Sequence, residues 1–364
     1  MVSQKSKIKS KNSYFLSLAF EQAKINLGST KDNPSVGCII ERNGSVISSG
    51  RTSINGRPHA EFNALKKKYN FKKANLYVTL EPCSHYGKTA PCTKIIKEKG
   101  ISKVYFSLFD SDSRSKKKSK EILQKNKILV KDSILKDYGQ KFYESYYLQH
   151  SPHLPLIDGK IAISKDYFTK NIKKKWITHI ESRRRSQYIR STYNCIISTS
   201  KSINEDNSML DCRLSGLEKR SPDLIILDRM LKIKKKLKLY KSIKNRKIIL
   251  CTSSNNKNKI SYLKSKGIKF IKINSLKNRD DFSELFFLLK KKGYSRIFVE
   301  AGLTFINFLI KNKFLKNIYI FKSNKNLKRN GINYSSPNII KKIYLQNLVK
   351  VNLFGDKLYK EKLA

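Results

Sequence analysis

His59, Cys83 and Cys92 are soft metal-ligand types gathered in one short stretch of a chain with only five histidines and six cysteines, and Glu61 follows the histidine by two positions. Imidazole nitrogen and thiolate sulfur are donors that zinc prefers, and a catalytic zinc keeps its fourth position for water. A carboxylate at position 61 stands close enough to such a water to move protons without ligating the metal. The chemistry this permits is attack of hydroxide on an amidine-like carbon, with the metal lowering the pKa of the water. Glu61 would take the water proton and deliver it to the departing amine. A purely structural zinc module is the competing reading, and it needs a fourth ligand. His85, inside "PCSHYGKTAPC", is the residue that could supply it.

These side chains need elements to hold them. "SYFLSLAFEQAKINLG" (13–28) has helical periodicity and stops at Gly28, and "SVGCIIERNGSVISSG" (35–50) is a hairpin around Asn43-Gly44. "AEFNALKKKY" (60–69) reads as a helix with His59 at its N-terminus, just after Pro58. Cys83 and Cys92 bracket the loop from the strand "NLYVTL" (75–80) to the helix "CTKIIKEKG" (92–100). "KVYFSLF" (103–109), the helix "SKKKSKEILQKN" (115–126) and "KILVK" (127–131) complete an α/β sandwich whose sheet is largely parallel after the hairpin.

"SPHLPLIDG" (151–159), with its two prolines, reads as the seam between a domain at 1–150 and another at 151–364. Beyond it "YNCIIST", "DLIILD", "RKIILCT", "IKFIKI" and "RIFVEAG" are short apolar runs separated by helical or basic segments. "IYIFKS" and "LVKVNLFGDKLY" (348–359) supply late strands. The expectation is a second α/β domain built on a parallel sheet. The basic stretch 231–247 reads as a solvated loop and helix.

The order H-x-E followed by P-C resembles that of the zinc nucleobase deaminases, but here eight residues rather than two separate the cysteines. With "TLEPC" and "NPSVGC" (Asn33 to Cys38), that spacing resembles the riboflavin-pathway pyrimidine deaminases. "WIT", "RRRSQYIR" and "VEAG", in that order behind it, resemble the reductase half of the bifunctional members of that family, over about residues 12–350. The resemblance implies a cytidine-deaminase-like α/β/α sandwich followed by a dihydrofolate-reductase-like α/β domain, with Zn2+ and NADPH as cofactors. It also implies deamination of 2,5-diamino-6-ribosylamino-4(3H)-pyrimidinone 5′-phosphate, then NADPH-dependent reduction of the ribosyl group of 5-amino-6-(5-phosphoribosylamino)uracil to ribityl.

By the same resemblance, Asn33, His85, Lys88 and Thr89 contact the first substrate. Ala162, Trp176, Ser202, Asp206 and Gly302 contact NADPH, and Lys174, Arg190, Leu210, Arg213 and Glu300 contact the second substrate. Guanidinium forks at Arg190 and Arg213 suit phosphate. The amides of the helix opened by Gly302 suit a pyrophosphate.

Three stretches depart from the family pattern. D-P-N-P becomes "DSDS" (110–113), which puts Asp112 where a neutral residue is expected near phosphate. S-L-D-G-[KR] becomes "SKDYF" (164–168), with Tyr167 in place of a turn glycine, and "EDNSMLDCR" (205–213) loses a proline. An enzyme with a working deaminase and a reductase half decayed into a structural or dimerising domain is therefore the alternative reading.

The formal charge of +51 prompts a further reading, a nucleic-acid-binding or RNA-editing deaminase. The excess is spread along the whole chain as Lys in company with Asn and Ile, which reads as compositional drift of surface positions. The expected partner is a small phosphorylated pyrimidine, without nucleic acid or membrane. The first twenty residues lack a signal-peptide core and no run reaches membrane-span length. A cytoplasmic homodimer or higher homo-oligomer is the expectation.

Overall fold

The computed structural model describes residues 10–112, 114–149, 151–335 and 338–363. The chain divides into two compact units, Met1–His153 and Leu154–Ala364.

In the first unit the elements are α1 (Lys11–Ile25), β1 (Gly37–Arg42), β2 (Ser45–Arg51), α2 (Ala60–Leu65), β3 (Asn75–Leu80), α3 (Cys92–Glu98), β4 (Lys103–Leu108), α4 (Lys118–Lys125), β5 (Leu129–Lys131) and α5 (Lys136–Gln149). The sheet order is β2-β1-β3-β4-β5. The β1–β2 hairpin turns at Asn43 and Gly44, both at positive φ, and β3, β4 and β5 run parallel.

Two close approaches fix which helix lies on which face. A Cβ on Gly37 would sit 1.9 Å from the Ala19 carbonyl oxygen of α1, whereas one on Gly50 would sit 2.3 Å from the Ala60 carbonyl oxygen of α2. Gly50 pairs with Cys38, the neighbour of Gly37, so the two glycines face opposite sides of the sheet. α5 joins α1 through Phe20 against Tyr138 and Phe142. The helix α5 escapes the periodicity reading because its apolar residues are mainly tyrosines, and α2 ends at Leu65, short of the expected 69.

The second unit contains β6 (Leu156–Ile163), β7 (Lys170–Asn171), α6 (Ile180–Arg190), β8 (Cys195–Thr199), α7 (Ser200–Asp206), β9 (Asp223–Leu227), β10 (Ile248–Thr252), α8 (Lys257–Ser265) and β11 (Lys269–Lys272). It continues with α9 (Arg279–Lys291), β12 (Arg296–Glu300), α10 (Leu303–Lys311), β13 (Asn317–Lys322), β14 (Gly331–Ile332) and β15 (Lys357–Lys362). Its large sheet has the order β11-β10-β9-β8-β12-β6-β13-β15, parallel throughout except for β15 on β13.

Alternate residues of each central strand feed two cores. Cys195, Ile197, Ile225, Ile297 and Val299 join α9 and α10 on one face. Ile196, Leu224, Ile226 and Phe298 join α6, α7 and α8 on the other through Ile189, Ile203 and Leu263. Burial on both faces is why these strands read as unbroken apolar runs.

Three expectations need correction. The second half of the proline-flanked seam is the start of β6, a central strand. The expected strand at 348–359 forms only at β15, 357–362, because the chain turns at Phe354-Gly355, both at positive φ. The stretch 231–247 is not simply solvated, since Leu231, Ile233, Leu239 and Arg246 are buried.

Gly50 sets how close the helix carrying His59 and Glu61 can lie to the sheet. Gly50→Ala is expected to cost about 3 kcal/mol by overpacking and to weaken zinc binding with it. Denaturant unfolding and a zinc titration of the same variant check both effects.

Candidate metal centre and reductase cleft

His59 is the N-cap of α2, Cys92 opens α3 after the cap residue Pro91, and Cys83 lies just past the end of β3. Strand and helix ends thus converge on one point. His59 Nδ1 is 3.5 Å from each sulfur, and the three ligand atoms all lie within 4.8 Å of one another. The Cys92 amide donates to the Cys83 sulfur at 3.3 Å. The Cys92 side chain and then the His59 ring hold the Cys83 thiol down, while the contact with Cys83 and burial push the Cys92 thiol up, so thiolate character falls on one sulfur of the pair. Glu61, in the first turn of α2, is buried, and burial pushes its carboxyl up to about 7 against the pull of His59. A donor set of one imidazole and two thiols with a carboxyl beside it fits zinc with a position left open.

His85 does not close that position. Its Nδ1 bonds the Ser115 hydroxyl at 2.8 Å, and among the described residues the ligand cluster is His59, Cys83 and Cys92. Asn33 sits in a turn closed by Thr30, with its side chain against Gly56, where a Cβ would lie 2.4 Å from Asn33 Nδ2. Lys88 is exposed, and Thr89 accepts a 2.7 Å bond from Arg57, a cation that the motif reading passed over.

The departure at Asp112 is neutralised locally. Arg114 grips its carboxylate with Nε at 3.0 Å and Nη2 at 2.6 Å, and that contact holds the group down to about 2. Glu81 of "TLEPC" accepts from the amides of Asp110 and Lys117 and from the Ser119 hydroxyl, tying this loop to the end of β3.

In the second unit Ala162, Ser202, Glu300 and Gly302 lie at or just past the carboxyl ends of β6, β8 and β12, whereas Leu210 and Arg213 lie on a loop tied to residues just before β9 and β10. Glu300 pairs in register with Lys160 and receives Arg190 on both oxygens, Nε at 2.5 Å and Nη2 at 3.0 Å, with Lys160 Nζ at 3.6 Å. Arg190 Nη1 reaches the Asp211 carbonyl at 3.0 Å, so its fork is engaged within the protein rather than offered to solvent. Arg213 is half exposed, and its Nη1 is 3.1 Å from Asp211 Oδ1. Leu210 has φ +52°.

Ser202 Oγ accepts the Gly302 amide at 3.1 Å, joining α7 to the start of α10. That particular amide is therefore occupied, and the next ones along α10 remain the donors open to an anion. Ala162 lies on β6, and Asp206 closes α7, with Lys175 bonded to its carbonyl at 3.1 Å. Trp176 is 55% exposed, with the Arg183 guanidinium 4.6 Å from its ring centroid, and Lys174 is exposed beside it. Lys160 was not singled out by motif, and only its register opposite Glu300 reveals it.

The carboxyl ends of these strands suit a dinucleotide. Ligands of open parallel sheets bind outside the carboxyl ends of the strands. α10 begins there with no side-chain cap on Gly302, so its first amides lack intrahelical partners. The exposed Trp176 face adds a stacking surface.

A His–Cys–Cys zinc site with a buried glutamate, in a chain that also carries a parallel-sheet reductase fold, defines a zinc deaminase joined to a reductase. Residues 9–108 match the cytidine and deoxycytidylate deaminase zinc-binding region, and residues 157–323 match the RibD C-terminal domain. The riboflavin biosynthesis protein RibD of Buchnera aphidicola subsp. Baizongia pistaciae is 31% identical over 343 residues, covering 90% of each chain. That of Bacillus amyloliquefaciens is 29% identical over 292 residues, covering 79% of this chain and 78% of the other. The chain belongs to the RibD family of riboflavin biosynthesis, bifunctional deaminase–reductases that use zinc and NADPH.

The fold is shared with a diaminohydroxyphosphoribosylaminopyrimidine deaminase/5-amino-6-(5-phosphoribosylamino)uracil reductase from Thermotoga maritima (TM-score 0.79, 24% identity, 97% of this chain and 99% of that chain). It is shared equally with Acinetobacter baumannii RibD (TM-score 0.79, 24% identity, 96% and 98%). Among the described residues no helix is long and apolar enough to cross a membrane.

Burial alone would raise the Glu300 carboxyl, but Arg190 and Lys160 hold it below the ordinary range. The stabilisation from this pair is therefore present above about pH 4.3, the ordinary carboxylate value, and is lost as pH falls through the lower folded value. Glu300→Gln, which leaves two buried cations unanswered, is expected to cost about 3 kcal/mol at pH 7. The gap to the parent protein should narrow on acidification, as read by denaturant unfolding at a series of pH values.

Proposed function

We propose that residues 1–150 deaminate 2,5-diamino-6-ribosylamino-4(3H)-pyrimidinone 5′-phosphate and that residues 151–364 reduce the ribosyl group of the resulting 5-amino-6-(5-phosphoribosylamino)uracil to ribityl. The observation that carries this reading is the convergence of His59, Cys83 and Cys92 with Glu61 buried beside them. Those three residues would hold zinc, which would supply Lewis acidity and lower the pKa of a water at the site. Glu61 accepts the proton of the attacking water and passes it to the 2-amino group, which leaves as ammonia. Asn33 orients the pyrimidine, while His85, Lys88 and Thr89 line the approach of its ribosyl phosphate, with Arg57 steadying Thr89.

In the reductase NADPH supplies the hydride. Ala162, Trp176, Ser202, Asp206 and the α10 N-terminus at Gly302 receive the cofactor. Lys174, Leu210 and Arg213 face the phosphorylated substrate, and Arg190, Glu300 and Lys160 form the ionic floor on which it rests. The protein acts in the cytoplasm as a homodimer or higher homo-oligomer.

Mass analysis of products tests the reading. Zinc-loaded protein given the diaminopyrimidine substrate and NADPH should yield the deaminated ribityl compound, whereas accumulation of the deaminated ribosyl compound would show an inactive reductase. Glu61→Gln should slow deamination by about 10²–10⁴ and leave reduction of supplied 5-amino-6-(5-phosphoribosylamino)uracil unchanged.

A further inference from the structure

We propose that Arg246 is a positioning residue of the reductase, fixing the 209–213 loop so that Leu210 and Arg213 meet the phosphorylated substrate; this rests on the reading above that the loop contacts that substrate. Arg246 lies just before β10 and is 6% exposed. Its Nη1 donates to the Leu210 carbonyl at 2.6 Å and the Pro222 carbonyl at 3.1 Å, its Nη2 to the Met209 carbonyl, and its Nε to the Ser242 hydroxyl at 3.2 Å. The partners are carbonyl dipoles and a hydroxyl rather than carboxylates. A core position that needed only volume would take an apolar side chain, because burying a cation is costly unless its donors are used. Here they are used on two consecutive carbonyls of one loop.

The remaining backbone of that loop is held in the same way. The Asp211 carbonyl accepts from Arg190, the Ser221 hydroxyl bonds both the amide and the carbonyl of Cys212, and the Arg213 amide donates to Gln187 Oε1 at 2.8 Å. Five successive residues are thus pinned by side chains from other elements. Leu210 keeps its φ of +52°, a conformation that persists in a residue with a side chain when its surroundings over-determine it.

The Arg213 side chain, by contrast, is loosely held. Its Nη1 is 3.1 Å from Asp211 Oδ1, yet that buried oxygen has no hydrogen bond of good direction. The distance makes an ion pair and the angle makes it a weak one, so the guanidinium can turn to a phosphate while its backbone stays fixed.

The test is steady-state kinetics of both activities in the full-length, zinc-loaded protein. Arg246→Met should raise KM for 5-amino-6-(5-phosphoribosylamino)uracil at least about tenfold with kcat within about threefold, the signature of lost substrate binding. Arg246→Lys, which keeps the charge but reaches fewer carbonyls, should fall between. Deaminase kinetics should not change in either.

If Arg246→Met does not fold, Gln187→Ala releases the other end of the loop from a partly exposed position and should raise the same KM about threefold. Unchanged KM in Arg246→Lys and Gln187→Ala, with only a lower melting temperature, would overturn the proposal. Arg213→Gln separates the two levels of the argument. A raised KM there beside unchanged Arg246 and Gln187 variants defeats the positioning role alone, whereas an unchanged KM in Arg213→Gln defeats the reading of the loop itself.

Discussion

In both halves of the chain several functional side chains leave from the carboxyl ends of parallel strands, and their placement follows from keeping those strands together. β3 runs directly into Glu81, Pro82 and Cys83, and β12 ends on Glu300 and the turn to Gly302. A parallel strand needs a helical crossover to return, so each strand end is followed by a loop and a helix start. His59, Cys92 and Ser202 all lie in such helix starts. The site residues of the second half are scattered in sequence because the topology, not proximity along the chain, collects them.

Buried charge has to be matched in place, and this chain does so in three ways. Glu81 is met by amides and a hydroxyl, Glu300 by two cations, and Arg246 by carbonyls. The first and third hold loops, and the second joins β12 to β6 and α6. Glu61 differs, because burial raises its carboxyl toward neutrality instead of a partner fixing its charge. A group of that kind suits proton transfer better than it suits holding a loop.

How much of this was legible in the sequence depends on how rare each signal is in this composition. His59, Cys83 and Cys92 stand out because histidine and cysteine are scarce, and Asn43-Gly44 because its turn chemistry is local. The strands of the second unit are legible as apolar runs buried on both faces. Arg246 is not legible, since it is one of 78 lysines and arginines and its burial depends on carbonyls 24 to 37 positions away. Lys160 is hidden for the same reason, as its meaning comes from strand register. β6 was obscured by the prolines that precede it, and α5 by its tyrosines, which carry little helix propensity but pack against Phe20.

The departures from the family pattern gain a physical reading once the contacts are known. Tyr167 takes the left-handed backbone that a glycine would supply, at φ +68°, a cost of about 1–2 kcal/mol for a residue with a side chain. The turn is held from outside. Tyr167 offers its carbonyl to Asn333 and Asn338, Asp166 accepts from the amides of Leu327 and Lys328, and Lys322 stands 4.1 Å from the centroid of the Tyr167 ring. Phe168, in place of a cation, fills the space against Gly331, where a Cβ would lie 2.2 Å from its ring. Several hydrogen bonds worth about 1 kcal/mol each offset a strain of that size, so the turn survives without its glycine. The same holds at Asp112, where the unexpected charge comes with Arg114 to pair it. The reading of a decayed reductase rests on the Ser164–Phe168 turn and the lost proline of 205–213, and Asp112 bears on the deaminase half instead. At the Ser164–Phe168 turn and at Asp112 alike, another contact holds the same backbone, so the departure from the family pattern does not by itself undo the turn.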